Sequence, residues 1–248
     1  VRRGSLHTLG IRGDAGVGKS RLLAEACTRM RGLGFATVSV AVRGYDSQAS
    51  YRLVADIVRA LAAAPQGKAE GGPDAPAPDA GDEPAEAQAL TDLLGERDPG
   101  EAWRLLTPLQ RRERIANAFV SLMREQTQRQ PLVLVVEDAA FADRGSLRLL
   151  ESLATRLSSA PLLLLLSYRQ DFLHRWADAP WFDELALGPL SPAEASQLAN
   201  HLLGSDPSIA AMRDVLLERA GGNPLFLEQM VLTLPDDGSL LGPPGACR

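Results

Sequence analysis

Between a short apolar stretch, SLHTLGI, and a segment of helical periodicity, KSRLLAEACTRMRGLG, the chain carries GDAGVGKS at residues 13–20. This stretch constrains the fold more than any other. It matches G-x-x-x-x-G-K-[ST] at every fixed position, and it sits at a strand-to-helix turn, the context in which that pattern has a mechanism. Gly13, Gly16 and Gly18 let the backbone turn tightly and approach an anion without Cβ clashes. Successive N–H groups then converge into an anion-binding nest, and the following helix adds the positive end of its dipole. Lys19 supplies a mobile positive charge for β- and γ-phosphates, and the Ser20 hydroxyl is placed to ligate Mg²⁺.

The rest of the chain repeats the same alternation. FATVSVAV reads as a strand, YRLVADIVRALAAA as a helix, LQRRERIANAFVSLMREQTQ as a long amphipathic helix, RGSLRLLESLATRLSS as another, and PLLLLLSY as a further strand. A weaker strand is expected in FDELALGPL. Strands alternating with helices predict an α/β fold: a P-loop-type, mostly parallel sheet covered by helices on both sides. The stretch from Pro65 to about Ala89 is rich in Ala, Pro, Gly and acid and has little to bury, so residues 63–89 are expected to form a disordered insertion. After Pro189 the pattern becomes all-helical. Expected boundaries are a core over residues 1–188, a small helical lid over 189–235 and a tail over 236–248.

A second feature needs explaining. In PLVLVVEDAAFAD, which begins at Pro131, five apolar residues run straight into Glu137 and Asp138. A strand that apolar is covered on both faces, whereas carboxylates are rarely buried unpartnered. Ligands of open α/β sheets bind at the C-terminal ends of strands. On a strand lying beside the first, the pair would face the glycine-rich turn. Glu137 then reads as the metal-side residue and Asp138 as the residue that orients or deprotonates attacking water. The competing reading makes the pair a cap for the helix that starts at Arg144.

Charge and composition exclude several classes. A net charge of −5 argues against a broad nucleic-acid footprint and against electrostatic membrane attachment. The apolar runs are too short to span a bilayer, and no charged n-region precedes an apolar h-region. Cys27 and Cys247, the only cysteines, make no metal spacing and no disulfide framework. A reducing cytoplasm is therefore expected.

Taken in order, GDAGVGKSRLLAEA, YDSQASYRLVADIVRAL, LVLVVEDAAFADRGSLRLL, LLLLLSYRQD, LGPLSPAEASQL and ERAGGNPLFLEQM resemble the STAND-class P-loop ATPases. The likeness is to the AAA-type module of large LuxR-type transcription regulators and of multidomain adenylate/guanylate cyclases. It runs from Leu6 to about Leu234. It implies an ATP-binding regulatory switch with slow ATP-to-ADP hydrolysis, using Mg²⁺. It implies Gly13, Asp14, Ala15, Gly16, Val17, Gly18, Lys19, Ser20 and Arg21 as the nucleotide loop, with Ser20 and Glu137 on the metal. Arg169 matches the family's sensor arginine and would read the γ-phosphate. Pro224, in GGNPL, matches the lid proline that packs on adenine, although GGNP is also a helix stop and start. Tyr45 and Tyr51 fall in a family loop, and packing is the expected role of both.

One departure bears on activity. The family pattern after the acid pair has His–Trp, and here Ala140 and Phe141 stand in those places. Nucleotide binding is expected to survive this change better than hydrolysis, so an inactive nucleotide-binding scaffold is the alternative reading. A P-loop small-molecule kinase is disfavoured by a lid region without a basic surplus. No guanine-reading N/T-K-x-D follows the LLLLLSY strand, which favours adenine. The resemblance further implies output domains beyond this chain and nucleotide-dependent self-association. His7 reads as a solvated or internally satisfied histidine.

Overall fold

The computed structural model describes residues 4–43, 50–64, 85–95, 101–172, 174, 176 and 178–234. The strands are β1 (His7–Arg12), β2 (Ala36–Ala41), β3 (Leu132–Glu137), β4 (Leu162–Tyr168) and β5 (Phe182–Ala186). The helices are α1 (Lys19–Gly32), α2 (Arg52–Ala63), α3 (Ala85–Leu94), α4 (Glu101–Arg104), α5 (Pro108–Arg129), α6 (Arg144–Arg156), α7 (Pro192–Leu203), α8 (Ala210–Ala220) and α9 (Pro224–Thr233).

The strands form one five-stranded sheet in the order β2-β3-β4-β1-β5. β3 pairs in parallel with β2, Ala36 opposite Leu132, and with β4, Leu132 opposite Leu162. Every residue of β4, and every residue of β3 up to Val136, is buried. Helices on both faces allow these strands to be continuously apolar. Toward the edges the pattern changes: β2 alternates and β5 buries only Phe182. His7 on β1 bonds Asp183 on β5 at 2.7 Å, which satisfies its ring as the sequence suggested.

Two compact units divide the chain. The first comprises Val1–Gly10, Leu23–Tyr168 and Leu173–Glu184; the second comprises Ile11–Leu22, Arg169–Phe172 and Leu185–Arg248. A single cut at residue 188 therefore does not describe the division, because the glycine-rich loop and the start of α1 belong with the C-terminal helices. In the second unit α7, α8 and α9 pack around Ala199, Leu203, Ile209, Leu216, Ala220 and Leu227. Their ends are written in the sequence. Ser191 and Glu194 form a capping box ahead of α7, with Pro192 at its first position. Gly221 and Gly222 stop α8 in left-handed conformations, and a Cβ on Gly222 would lie 2.5 Å from the Leu190 carbonyl.

Two expectations change. The insertion does not extend to Ala89: Ala85–Leu94 is helical, and Ala89 is fully buried. The Pro- and Gly-rich residues ahead of it give the whole stretch a disordered composition, whereas alanine is the strongest helix former and α3 packs on α5. Residues 65–84 lie outside the described residues. Nor is the acid-tipped strand next to the first strand, since β4 stands between β1 and β3. β4 is the more completely buried strand, and it takes the central place.

Candidate functional site

In the glycine-rich loop the chain's geometry follows from missing side chains. Gly16 and Gly18 have φ of 82° and 102°, a region that L side chains rarely enter. At Gly16 space matters as well: a Cβ there would lie 2.7 Å from Asn223 Oδ1 and 2.9 Å from Leu225 Cβ. At Gly18 an added Cβ would meet nothing within 4 Å, so only the backbone conformation calls for glycine. Gly13 is closed in by the Leu187 carbonyl and Val17.

Lys19 begins α1 and is 9% exposed. Its ammonium donates to the carbonyls of Gly13 and Asp14, both at 2.8 Å. A cation this buried needs such acceptors. The side chain thus folds back over the loop it closes. Asp14, Ala15, Ser20 and Arg21 are exposed, whereas Val17 is buried. Arg21 pairs with Glu228 of α9 at 3.5 Å, a contact worth little in solvent.

Asn223 fastens the loop to the helix after it. Its Nδ2 donates to the Ala15 carbonyl at 3.0 Å, while its Oδ1 caps α9 by accepting from the amides of Leu225 and Phe226. The Leu225 amide also points to the Gly16 carbonyl at 3.3 Å. Pro224 occupies the first turn of α9 and is half-buried, so the contact with the loop is made by its neighbour. Arg169 is exposed just past β4. There too the neighbour reaches the loop: Gln170 Nε2 donates to Asp14 Oδ2 at 3.1 Å.

The acid pair has its own surroundings. Glu137 ends β3, and its carbonyl accepts from Val42 at 2.9 Å. Its carboxylate is near enough to act on Cys27 of α1. Burial raises the pKa of that thiol, Arg31 partly offsets the rise, and Glu137 adds to it. Asp138 is exposed and adopts φ 55°, ψ 45°, a left-handed conformation unusual for a residue with a Cβ. Its N–H donates to Ser167 Oγ at 3.1 Å, and Ser167 is 1% exposed in β4.

The helix-cap reading of the pair fails. The cap of α6 is Asp143, which accepts from Ser146 N at 2.8 Å and Ser146 Oγ at 2.6 Å. Asp143 also accepts from Tyr51 N at 2.9 Å, and Ser146 Oγ accepts from Val54 N at 3.3 Å. One aspartate thereby ties the starts of α2 and α6 together. The Tyr51 ring lies against Gly145, where a Cβ would sit 2.9 Å from Cε1, in accord with the packing role expected for it. Tyr45 lies outside the described residues.

Sequence reasoning missed Ser167, Gln170, Asn223 and Asp143. Two left a signal: Ser167 is the one small hydroxyl in a run of buried leucines, and Asn223 precedes a proline-headed helix. The fit of the loop to a nucleotide's phosphates rests on the glycine cradle at Gly16 and Gly18 and on Lys19. Among the described residues no three His, Cys, Asp or Glu side chains gather into a metal-binding group. No helix among them is long and apolar enough to cross a membrane.

The AAA ATPase domain family matches residues 1–166. An uncharacterized protein of Rhizobium meliloti (strain 1021) is 31% identical over 238 residues, 89% of this chain; the chain spans 22% of that relative's length. Among solved structures, a STAND protein with a tetratricopeptide repeat sensor from Pyrococcus horikoshii aligns over 93% of this chain and 28% of its own, at 15% identity and a TM-score of 0.47. AMPPCP-bound DnaA from Aquifex aeolicus aligns over 96% of this chain and 57% of its own, at 13% identity and a TM-score of 0.46.

Proposed function

This chain belongs to the AAA ATPase domain family, and we propose that it works as a nucleotide-dependent switch within a larger signalling or transcription-regulatory protein, one that binds ATP and hydrolyses it slowly. The observation that carries this reading is the joint made by Asn223. The side chain that caps α9 also holds the Ala15 carbonyl of the phosphate loop. Phosphate oxygens drawing on loop N–H groups and on Lys19 would alter the partners of Gly13, Asp14 and Ala15. The helices beyond Leu190 would therefore experience loop occupancy through Asn223 and Leu225. A switch needs only such a difference in affinity between two arrangements.

Each residue has a role in this proposal. The backbone of residues 13–18 and Lys19 hold the β- and γ-phosphates. Ser20 and Glu137 are the groups suited to hold Mg²⁺, which would offset charge on the transferred phosphoryl group. Asp138 orients the attacking water or accepts its proton, and Arg169 supplies a guanidinium to the γ-phosphate. Pro224 borders the adenine. ADP is the product, and self-association is proposed to depend on nucleotide state.

The alternative is a scaffold that binds nucleotide without turning it over. The specific support for it is Ala140–Phe141, which puts a 41% exposed phenyl ring and no imidazole beside the acid pair. Lys19→Ala tests the binding half of the proposal. It removes the loop's ammonium and is expected to abolish ATP binding by calorimetry while the circular-dichroism spectrum is kept. Unchanged affinity would overturn the assignment. Phosphate release from the wild-type chain above buffer separates the switch from the scaffold.

A further inference from the structure

α5 and α6 are rich in arginine, and the fates of these arginines differ. Arg111 donates to the carbonyls of Trp103 and Arg104, Arg129 pairs with Glu125, and Arg156 bonds Asn117. Arg112, Arg144 and Arg148 instead converge on one cavity of about 220 Å³, completed by Ser50, Tyr51, Gly145 and Leu149. No carboxylate lines it, and among the described residues none of the three guanidinium groups is in an ion pair or hydrogen bond. Arg144 and Arg148 are one turn apart on α6, where like charges repel. All three arginines are exposed, and in a chain of net charge −5 they give this concave site a positive face that an anion would complement.

We propose that this cavity is a second anion site, separate from the phosphate loop, and that it takes a small phosphate-bearing ligand. Guanidinium forks match the oxygens of phosphate and can bind them bidentately. At about 220 Å³ the cavity is smaller than the roughly 300–1,000 Å³ pockets that hold whole small-molecule ligands, which suits a phosphate or diphosphate group. Leu149 gives the site an apolar side.

The site is also built into a strained junction. Tyr51 has φ 64°, and its N–H donates to Asp143, the cap of α6. A short turn separates Asp143 from Asp138.

The test uses Lys19→Ala protein, titrated calorimetrically with pyrophosphate at low salt, where surface charges are least screened. One saturable site is expected. Arg144→Gln/Arg148→Gln in that background should weaken it at least about tenfold, and Arg112→Gln should do so to a similar degree. The same glutamine changes in the otherwise wild-type chain should leave Mg·ATP affinity within about twofold, because no ATP-loop residue is touched. Absence of pyrophosphate binding, or equal binding by the glutamine variants, overturns the proposal. Citrate binding as tightly as pyrophosphate overturns the phosphate assignment. Failure of the loop reading would appear separately, as Mg·ATP affinity unaffected by Lys19→Ala.

Discussion

The phosphate loop and the acid-tipped strand both carry backbone in the left-handed region, but with different residues. In the loop the positions are Gly16 and Gly18, where that conformation is free of Cβ strain. At the strand end the position is Asp138, and among the described residues Tyr51 is the only other non-glycine with positive φ. Under the proposed function the contrast follows from which atoms would do the chemistry. On that reading the loop offers its amides, and glycine lets the backbone present them without Cβ strain. The strand end would offer a carboxylate, which needs the Cβ despite its cost, and a buried serine from the neighbouring strand accepts from the Asp138 amide. Strain retained by a side-chain-bearing residue at a candidate site is what functional positioning predicts.

The largest expected effect falls on the side chain for which that strain is tolerated. Asparagine accepts the left-handed region and has nearly the shape of aspartate, so Asp138→Asn should keep both stability and Mg·ATP affinity. Single-turnover phosphate release should fall about 10²–10⁴-fold, as for a lost general base or water-orienting group. Glu137→Gln should instead raise the magnesium requirement for binding, measured across a magnesium series. Swapped effects would exchange the roles of the two carboxylates. No change in either would reduce the acid pair to surface charge.

Next in size is a comparison inside the loop. Gly16→Ala meets both forbidden φ and the crowding of Asn223 and Leu225, whereas Gly18→Ala meets only the φ. Chemical denaturation should show a loss of about 2–4 kcal/mol for Gly16→Ala, and about 1–2 kcal/mol for Gly18→Ala. Equal losses would mean that the loop does not press on the start of α9, and the joint at Asn223 would lose its support.

The same contrast explains what could be read from sequence. The loop is legible because its geometry is local: one short run of consecutive residues determines where the amides point. The central strands are legible because Leu132 to Val136 and Leu162 to Leu166 are apolar without interruption, which only a doubly covered strand allows. The order of those strands is not legible, since it depends on which crossover returns beside which strand. Nor is the support of Asp138, because Ser167 is 29 residues away and nothing local pairs the two. At α9 and just past β4 the sequence singles out Pro224 and Arg169 for contacts to a nucleotide, while the side chains that bond the loop itself are those of their neighbours Asn223 and Gln170. A motif marks the segment, and only packing selects the side chain. Ala85–Leu94 escapes a sequence reading because the Pro- and Gly-rich residues ahead of it set the composition of the whole stretch, although its own alanines favour a helix.

The smallest effect concerns the bond between the two strands. Ser167→Ala removes the acceptor of the Asp138 N–H and exchanges a buried hydroxyl for a hydrogen. A backbone donor left without its partner costs about 1–3 kcal/mol, so denaturation should show a loss in that range. Asp138→Gly should act in the opposite direction, since glycine adopts φ 55° freely, and relief of the strain is worth about 1 kcal/mol. Phosphate release should fall in both variants, in the serine variant because the carboxylate is no longer fixed. The decisive measurement is the double variant. If Ser167 serves to hold the strained aspartate, it has less to do once the strain is gone, and the two changes should depart from additivity by more than about 0.5 kcal/mol. Additivity within about 0.3 kcal/mol would make the bond an ordinary strand contact. The strain at Asp138 would then have to be maintained by the 3₁₀ turn at Ala139–Phe141, where the Phe141 amide donates to the Asp138 carbonyl at 3.0 Å.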